Sequence, residues 1–243
     1  MRYFLLSDLH LDGGAPAAID AFCAFLAGPA RASDALYVLG DLFESWIGDD
    51  DDDPARGRVV AALAELARSG PAVFVMRGNR DFLLGPGFEA RSGCRLLPDP
   101  VVATLHGRRV LLTHGDLLCT ADHAYQELRS TVRTERFRST VLALPAAHRR
   151  RLADAVRAGS RAHTASAQAA IMDVDPQAVV AAMQAAGVDL MIHGHTHRPA
   201  THALQIDGRP ATRIVLDAWF DRGSVLDWGP TGPSTRLLEF GGR

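Results

Sequence analysis

Apolar residues run unbroken at Tyr3–Leu6, Ala35–Leu39 and Ala72–Met76, and nearly so again at 110–113. Short runs without polar alternation predict strands buried on both faces. Between them, apolar positions recur at helical spacing over 15–27 and over Pro54–Arg68, the second opened by a proline suited to a first turn. Strands alternating with helices predict an α/β fold with helices outside. The style changes beyond residue 200. Segments 201–206, 213–216, 224–227 and 236–240, with an Asp207-Gly208 turn, predict a second, largely antiparallel sheet. The expected architecture is a two-sheet α/β sandwich flanked by helices, forming one domain over 1–243. The stretch from about 120 to 175 holds no convincing strand and predicts several helices, a cap inserted within that domain.

Composition removes some chemistries. All 26 basic residues are arginine, which excludes a phosphate-loop lysine and Schiff-base catalysis. Cys23, Cys94 and Cys119 form no close pair, as expected in a reducing compartment. The first apolar run is too short for a signal peptide and ends in a carboxylate, and no stretch approaches a membrane span. A cytoplasmic chain is the expectation. Charge is uneven: between Arg129 and Arg161 lie nine arginines against only Glu135 and Asp154.

The ends of the predicted strands collect one class of residue. Asp8 and His10 follow the first strand, Asp41 the second and Asn79 the third. His114 follows 110–113, and His195 and His197 follow another apolar run. Ligands of α/β sheets bind beyond the carboxyl ends of strands, so these seven side chains can converge. Mixed oxygen and nitrogen donors suit first-row divalent ions. A bridging carboxylate, for which Asp41 is the natural choice, can hold two ions about 3.5–4 Å apart and clamp a phosphoryl group. His193 reads as structural, His106, His148 and His202 lack motif context, and Asp81 and Asp116 read as residues that orient ligands.

In order, Ser7-Asp8-Leu9-His10, Gly40-Asp41, Gly78-Asn79-Arg80-Asp81, His114-Gly115 and Gly194-His195-Thr196-His197 resemble the calcineurin-like metallophosphoesterases, whose pattern is D-x-H, G-D, G-N-H-[DE], H-G and G-H-x-H. One departure is informative. Arg80 stands where histidine is frequent, and arginine stays protonated and cannot act as a general acid. A phosphate leaving group needs no proton, so Arg80 fits pyrophosphate cleavage. The plainer reading is a phosphate clamp on any diester.

Segments 40–50, 78–85, 114–120, 171–174 and 193–199 extend the likeness to the UDP-2,3-diacylglucosamine pyrophosphatase family of the lipid A pathway, nearly end to end. That resemblance implies two Mn²⁺ ions, one on Asp8, His10, Asp41 and His197, the other on Asp41, Asn79, His114 and His195. It implies attack on the α-phosphorus, releasing UMP and 2,3-diacylglucosamine 1-phosphate, with Asn79, Arg80 and His195 at the reacting group. Substrate contacts are expected at Asn79, Arg80, Asp122, Ser160, Thr164 and His195. Where the family carries a lysine this chain has Ala167, for which Arg157 or Arg161 could compensate, and Asp217 and Phe220 also depart from the pattern.

A diacylated substrate must leave a bilayer. Segment 145–159 carries Arg149, Arg150, Arg151 and Arg157, with Leu152 and Val156 on another face. It reads either as a basic amphipathic helix resting on the cytoplasmic face of the inner membrane or as a solvated helix whose apolar stripe packs on the domain. The acidic run 49–53 reads as a solvated loop facing away from lipid. The rival activity is hydrolysis of a soluble nucleotide or nucleic acid on the same metal site. An extended basic face is missing, so nucleic acid is not the expected partner, and no stable protein partner is implied. A binding scaffold without catalysis is disfavoured by the full ligand set.

Overall fold

The computed structural model describes residues 1–166 and 173–241, and the side chains of 160–166 lie outside the described residues. Ala167 and segment 171–172 are likewise outside it. Two sheets face each other. The first has the order β11-β10-β1-β2-β3-β4, with β1 (Tyr3–Leu6), β2 (Ala35–Leu39), β3 (Ala72–Met76), β4 (Arg95–Leu97), β10 (Arg222–Gly229) and β11 (Gly232–Glu239). The second has the order β5-β6-β7-β9-β8, with β5 (Val101–Leu105), β6 (Arg108–Thr113), β7 (Leu190–His193), β8 (Ala200–Ile206) and β9 (Arg209–Val215).

Strands β1 to β4 are mutually parallel, and so are β6, β7 and β9. The unbroken apolar runs are explained by their two buried faces. Tyr3, Leu5, Tyr37 and Leu39 point between the sheets, against Val110, Leu112, Ile192 and Ile214. Phe4, Leu6, Leu36 and Val38 point outward, against α1 (Pro16–Ala27) and α2 (Pro54–Arg68). On the far side, α7 (Pro176–Ala186) packs Val179 and Met183 onto Leu111 and Met191. Helices therefore cover both outer faces. Among the described residues, no helix is long and apolar enough to cross a membrane.

One expectation about the C-terminal strands is corrected. They form no sheet of their own: β8 and β9 extend the second sheet, whereas β10 pairs antiparallel with β1 and carries β11 to the edge of the first. After Trp219 the chain crosses the sandwich, so the closing hairpin completes the opposite sheet.

Between β6 and α7 lie α4 (His123–Val132), α5 (Glu135–Leu142) and α6 (Ala146–Ser166), with no strand among the described residues there. Asp122, Thr134 and Asp175 cap α4, α5 and α7 with side-chain oxygens. The acidic run is a junction rather than a solvated loop. Asp50 and Asp52 receive Arg149 and Arg150 of α6, the buried Asp51 receives Arg56 and Arg150, and Asp53 caps α2. Asp49 accepts from Trp46 Nε1 and from the backbone of Gly85 and Gly87. Arg149 and Arg150 thus spend their charge on the chain itself.

Candidate metal centre

The parallel strands of both sheets deliver their carboxyl ends to one edge of the sandwich. Seven non-glycine residues have positive φ among the described residues, and five are Asp8, His10, Asp41, His195 and His197. The other two, His106 and Asp207, precede glycine in hairpin turns. Side chains leaving a strand end in this left-handed conformation are turned back over it, a costly conformation that concentrates at functional sites. Two glycines make room: Gly40, at φ 93, lies where a Cβ would strike the His114 ring, and a Cβ on Gly78 would strike Asp41.

The seven side chains anticipated from sequence come together. His10 Nε2 lies 3.3 Å from His197 Nε2, and His197 Nε2 lies 3.4 Å from Asp8 Oδ1. Asn79 Oδ1 lies 2.9 Å from His114 Nε2 and 3.0 Å from His195 Nδ1. Asp41 Oδ2 sits between the groups, 3.9 Å from His10 Nε2 and 3.8 Å from His114 Nε2. Donors about 2.1 Å from one ion lie roughly 3 Å apart when adjacent in an octahedron, so the spacings suit such an ion on each side of Asp41.

Two observations test the fit to cations. Asp8 Oδ1 is buried without a hydrogen-bond donor. The His114 Nδ1–H donates to the Leu39 carbonyl oxygen at 2.9 Å, which leaves Nε2 facing the Asn79 oxygen. Two lone pairs approach so closely only with a proton or a cation at hand. Burial would push the His114 pKa down, but the carboxylates of Asp41, Asp116 and Asp8 overcome it and raise it to about 9. Burial and the charge of His114 together lower His195 to about 4. A cluster that draws a proton into a buried imidazole is built for positive charge.

Neighbouring side chains hold the candidate ligands. Asp81 accepts from the backbone of Gly78 at 2.7 Å and Leu42 at 2.9 Å, joining the loops that carry Asn79 and Asp41. Burial and the charge of Asp41 raise its pKa to about 6. Glu44 Oε2 lies 3.1 Å from His10 Nδ1, and Asp41 Oδ1 accepts from the Arg80 backbone at 2.8 Å. Asp116, fully buried, accepts from the Tyr125 hydroxyl at 2.6 Å and Arg129 Nε at 2.8 Å, tying α4 to the end of β6. The Tyr125 ring stacks over His195 at 6.0 Å. His193 is structural: its pKa is lowered to about 4 by burial, and it contacts the Gly194 carbonyl and Arg213.

A cavity of about 560 Å³ adjoins the cluster. Asn79 and Arg80 stand at its metal-cluster end, and Trp46, Leu128, Phe137, Leu152 and Val156 give it an apolar wall. The stripe of Leu152 and Val156 on α6 therefore faces this groove. Of the residues anticipated as substrate contacts, Asn79 and Arg80 line the cavity, His195 lies against Asn79, and Asp122 caps the start of α4, where it accepts from Tyr125 N at 3.1 Å. Ser160 and Thr164 fall on α6 with side chains outside the described residues. Sequence reasoning missed Glu44, Tyr125 and the groove wall. The spacing of Tyr125, Leu128 and Val132 along one face of α4 was the available signal.

A calcineurin-like phosphoesterase family profile matches residues 1–199. UDP-2,3-diacylglucosamine hydrolase of Enterobacter sp. (strain 638) is 47% identical over 240 residues, covering 99% of each chain. Those of Cellvibrio japonicus and Escherichia coli O17:K52:H18 are each 48% identical, covering 97% and 99% of this chain and 98% and 99% of their own. This chain belongs to the calcineurin-like phosphoesterases, and within them to the UDP-2,3-diacylglucosamine hydrolase family. A phosphoesterase of this kind is a metal-dependent hydrolase, and the donors converging at the strand ends of the enzyme are its candidate metal ligands.

Proposed function

We propose that the enzyme hydrolyses the pyrophosphate of UDP-2,3-diacylglucosamine at the α-phosphorus, yielding UMP and 2,3-diacylglucosamine 1-phosphate in lipid A biosynthesis. The observation that carries the substrate is the apolar groove with Asn79 and Arg80 at one end. A soluble nucleotide has no use for such a wall, whereas acyl chains do. Two Mn²⁺ ions are assigned to Asp8, His10, Asp41 and His197 and to Asp41, Asn79, His114 and His195. When bound, they supply Lewis-acid stabilisation of phosphoryl charge and an activated water.

The chain's own residues do the rest. Arg80 neutralises charge developing on the phosphoryl oxygens, and it can do so without a proton to give because the leaving group is a phosphate. Asn79 and His195 orient the phosphoryl group, held by Asp81 and by the Tyr125 ring. Helices α4 to α6 act as the cap, keeping water from the acyl groups and fixing the remote end of the substrate. The enzyme works at the cytoplasmic face of the inner membrane, with Arg149 and Arg150 held by Asp50, Asp51 and Asp52 rather than turned to lipid. The test is turnover of UDP-2,3-diacylglucosamine in detergent with and without Mn²⁺, against UDP-glucose. Equal turnover of the two substrates would overturn the lipid assignment.

A further inference from the structure

Phe220 is 64% exposed, the most exposed large apolar side chain among the described residues after Met1. A lone exposed apolar residue needs no explanation. Phe220 differs in where it stands and in how firmly the backbone before it is held. Its ring lies 5.1 Å from that of His197, edge to face, on the side of the cluster formed by Asp8, His10 and His197. The His197 side chain keeps 31% of its surface and His10 15%, against none for His114. This is the open side of the centre.

The loop leading to Phe220 is pinned. Leu216 N donates to the His193 carbonyl at 2.7 Å, and Trp219 N donates to the carbonyl of Asp8 at 3.0 Å. Trp219 is buried, its indole N–H donates to the Ser224 carbonyl at 2.9 Å, and its ring packs on Phe22 and Phe240. The residue before Phe220 is thus locked into the core, and Phe220 is presented outward from a fixed backbone. Binding to such a platform loses little conformational entropy.

We propose that Phe220 is the stacking platform for the uracil base of the substrate. The inference rests on the function proposed above and deepens it. With the acylated sugar in the groove beside Asn79 and Arg80, the nucleoside is left the open side, where Phe220 offers the base a π surface.

The test is UMP binding by calorimetry on Mn²⁺-loaded enzyme, with inorganic phosphate as the reference ligand and metal content measured for each variant. Stacking of one base on an aromatic side chain corresponds to about 5- to 150-fold in affinity. Phe220→Ala and Phe220→Leu should weaken UMP by that factor and leave phosphate binding and both metals unchanged. Phe220→Trp should restore UMP binding, because it returns a π face, whereas leucine returns only bulk over His197. UMP binding unchanged in Phe220→Ala, rescue by leucine as good as by tryptophan, or parallel loss of phosphate binding would each overturn the platform. Hydrolysis of UDP-2,3-diacylglucosamine by the wild type is scored separately. Its absence overturns the substrate reading itself, whereas turnover combined with UMP binding no tighter than phosphate overturns only the nucleoside subsite.

Discussion

Asp116→Ala removes the carboxylate that joins α4 to the sheet. Asp116 is fully buried, and Arg129 and Arg133 keep 12% and 19% of their side-chain surface. Removing one partner of a buried ion pair costs about 3–5 kcal/mol, because the remaining charge is left without compensation. Here the arginines retain other acceptors. Arg129 keeps Asp99 at 3.3 Å, and Arg133 keeps the carbonyls of Arg77 at 3.3 Å and Gly78 at 2.9 Å. The Tyr125 hydroxyl loses its acceptor. The expected loss is therefore at the lower end, about 3 kcal/mol. With a urea m-value of about 3 kcal/mol/M, the midpoint should fall by about 1 M. Asp116→Asn, which removes the charge but keeps an acceptor for Tyr125 and Arg129, should lose less, about 2 kcal/mol. The assay is urea unfolding followed by tryptophan fluorescence at fixed Mn²⁺, combined with Arg129→Met in a double-mutant cycle. A midpoint shift below about 0.3 M would refute the reasoning, and so would strict additivity with Arg129→Met. Since Tyr125 also stacks on His195, the KM for the diacylated substrate should rise alongside the lost stability.

Three other outcomes are expected. Asp41→Ala should lose both metal ions, because one carboxylate serves both groups of donors; elemental analysis finding two ions at full occupancy would remove Asp41 as the bridge. Arg80→Ala should lower turnover by about 10²–10³ with both metals retained, and Arg80→Lys should recover only part, because a point charge lacks the planar fork. Full activity in the alanine variant refutes the assignment. Far from the site, the hydrogen bond from Arg2, with help from Arg236, holds the Asp227 carboxyl below the usual carboxylate range. Its stabilisation is present above the unfolded pKa of about 3.9 and is lost as pH falls through the lower folded value. Arg2 keeps 36% of its side-chain surface, so the contribution should be under about 1 kcal/mol. In denaturation at stepped pH, the gap between wild type and Asp227→Asn should close on acidification, and a gap that widens contradicts the sign.

Much of the fold was legible because β1, β2 and β3 are buried on both faces, and such burial writes an unbroken apolar run. The three-residue β4 and the half-exposed β5 leave no such mark. The C-terminal strands were visible one by one, but nothing local in Arg222–Gly229 encodes pairing with Tyr3–Leu6 across most of the chain. The acidic run misled for the same reason. Its partners Arg149 and Arg150 lie about a hundred positions away, and an isolated string of aspartates looks solvated whatever it meets. The candidate metal cluster was legible because its seven residues each sit within four positions of a strand end. The groove wall was not, since Trp46, Leu128 and Phe137 belong to different segments that only the fold brings to one cavity.

The left-handed residues of the centre set folding against chemistry at the same positions. Glycine would adopt φ 55 at Asp8 or φ 54 at His197 without penalty, whereas the side chains there cost about 1 kcal/mol each. Mutation toward glycine at these positions would relax the backbone while removing a candidate metal ligand. A lineage released from the need for catalysis should therefore drift toward a sturdier, inert protein of the same shape, losing its aspartates and histidines at the strand ends before it loses its sheets.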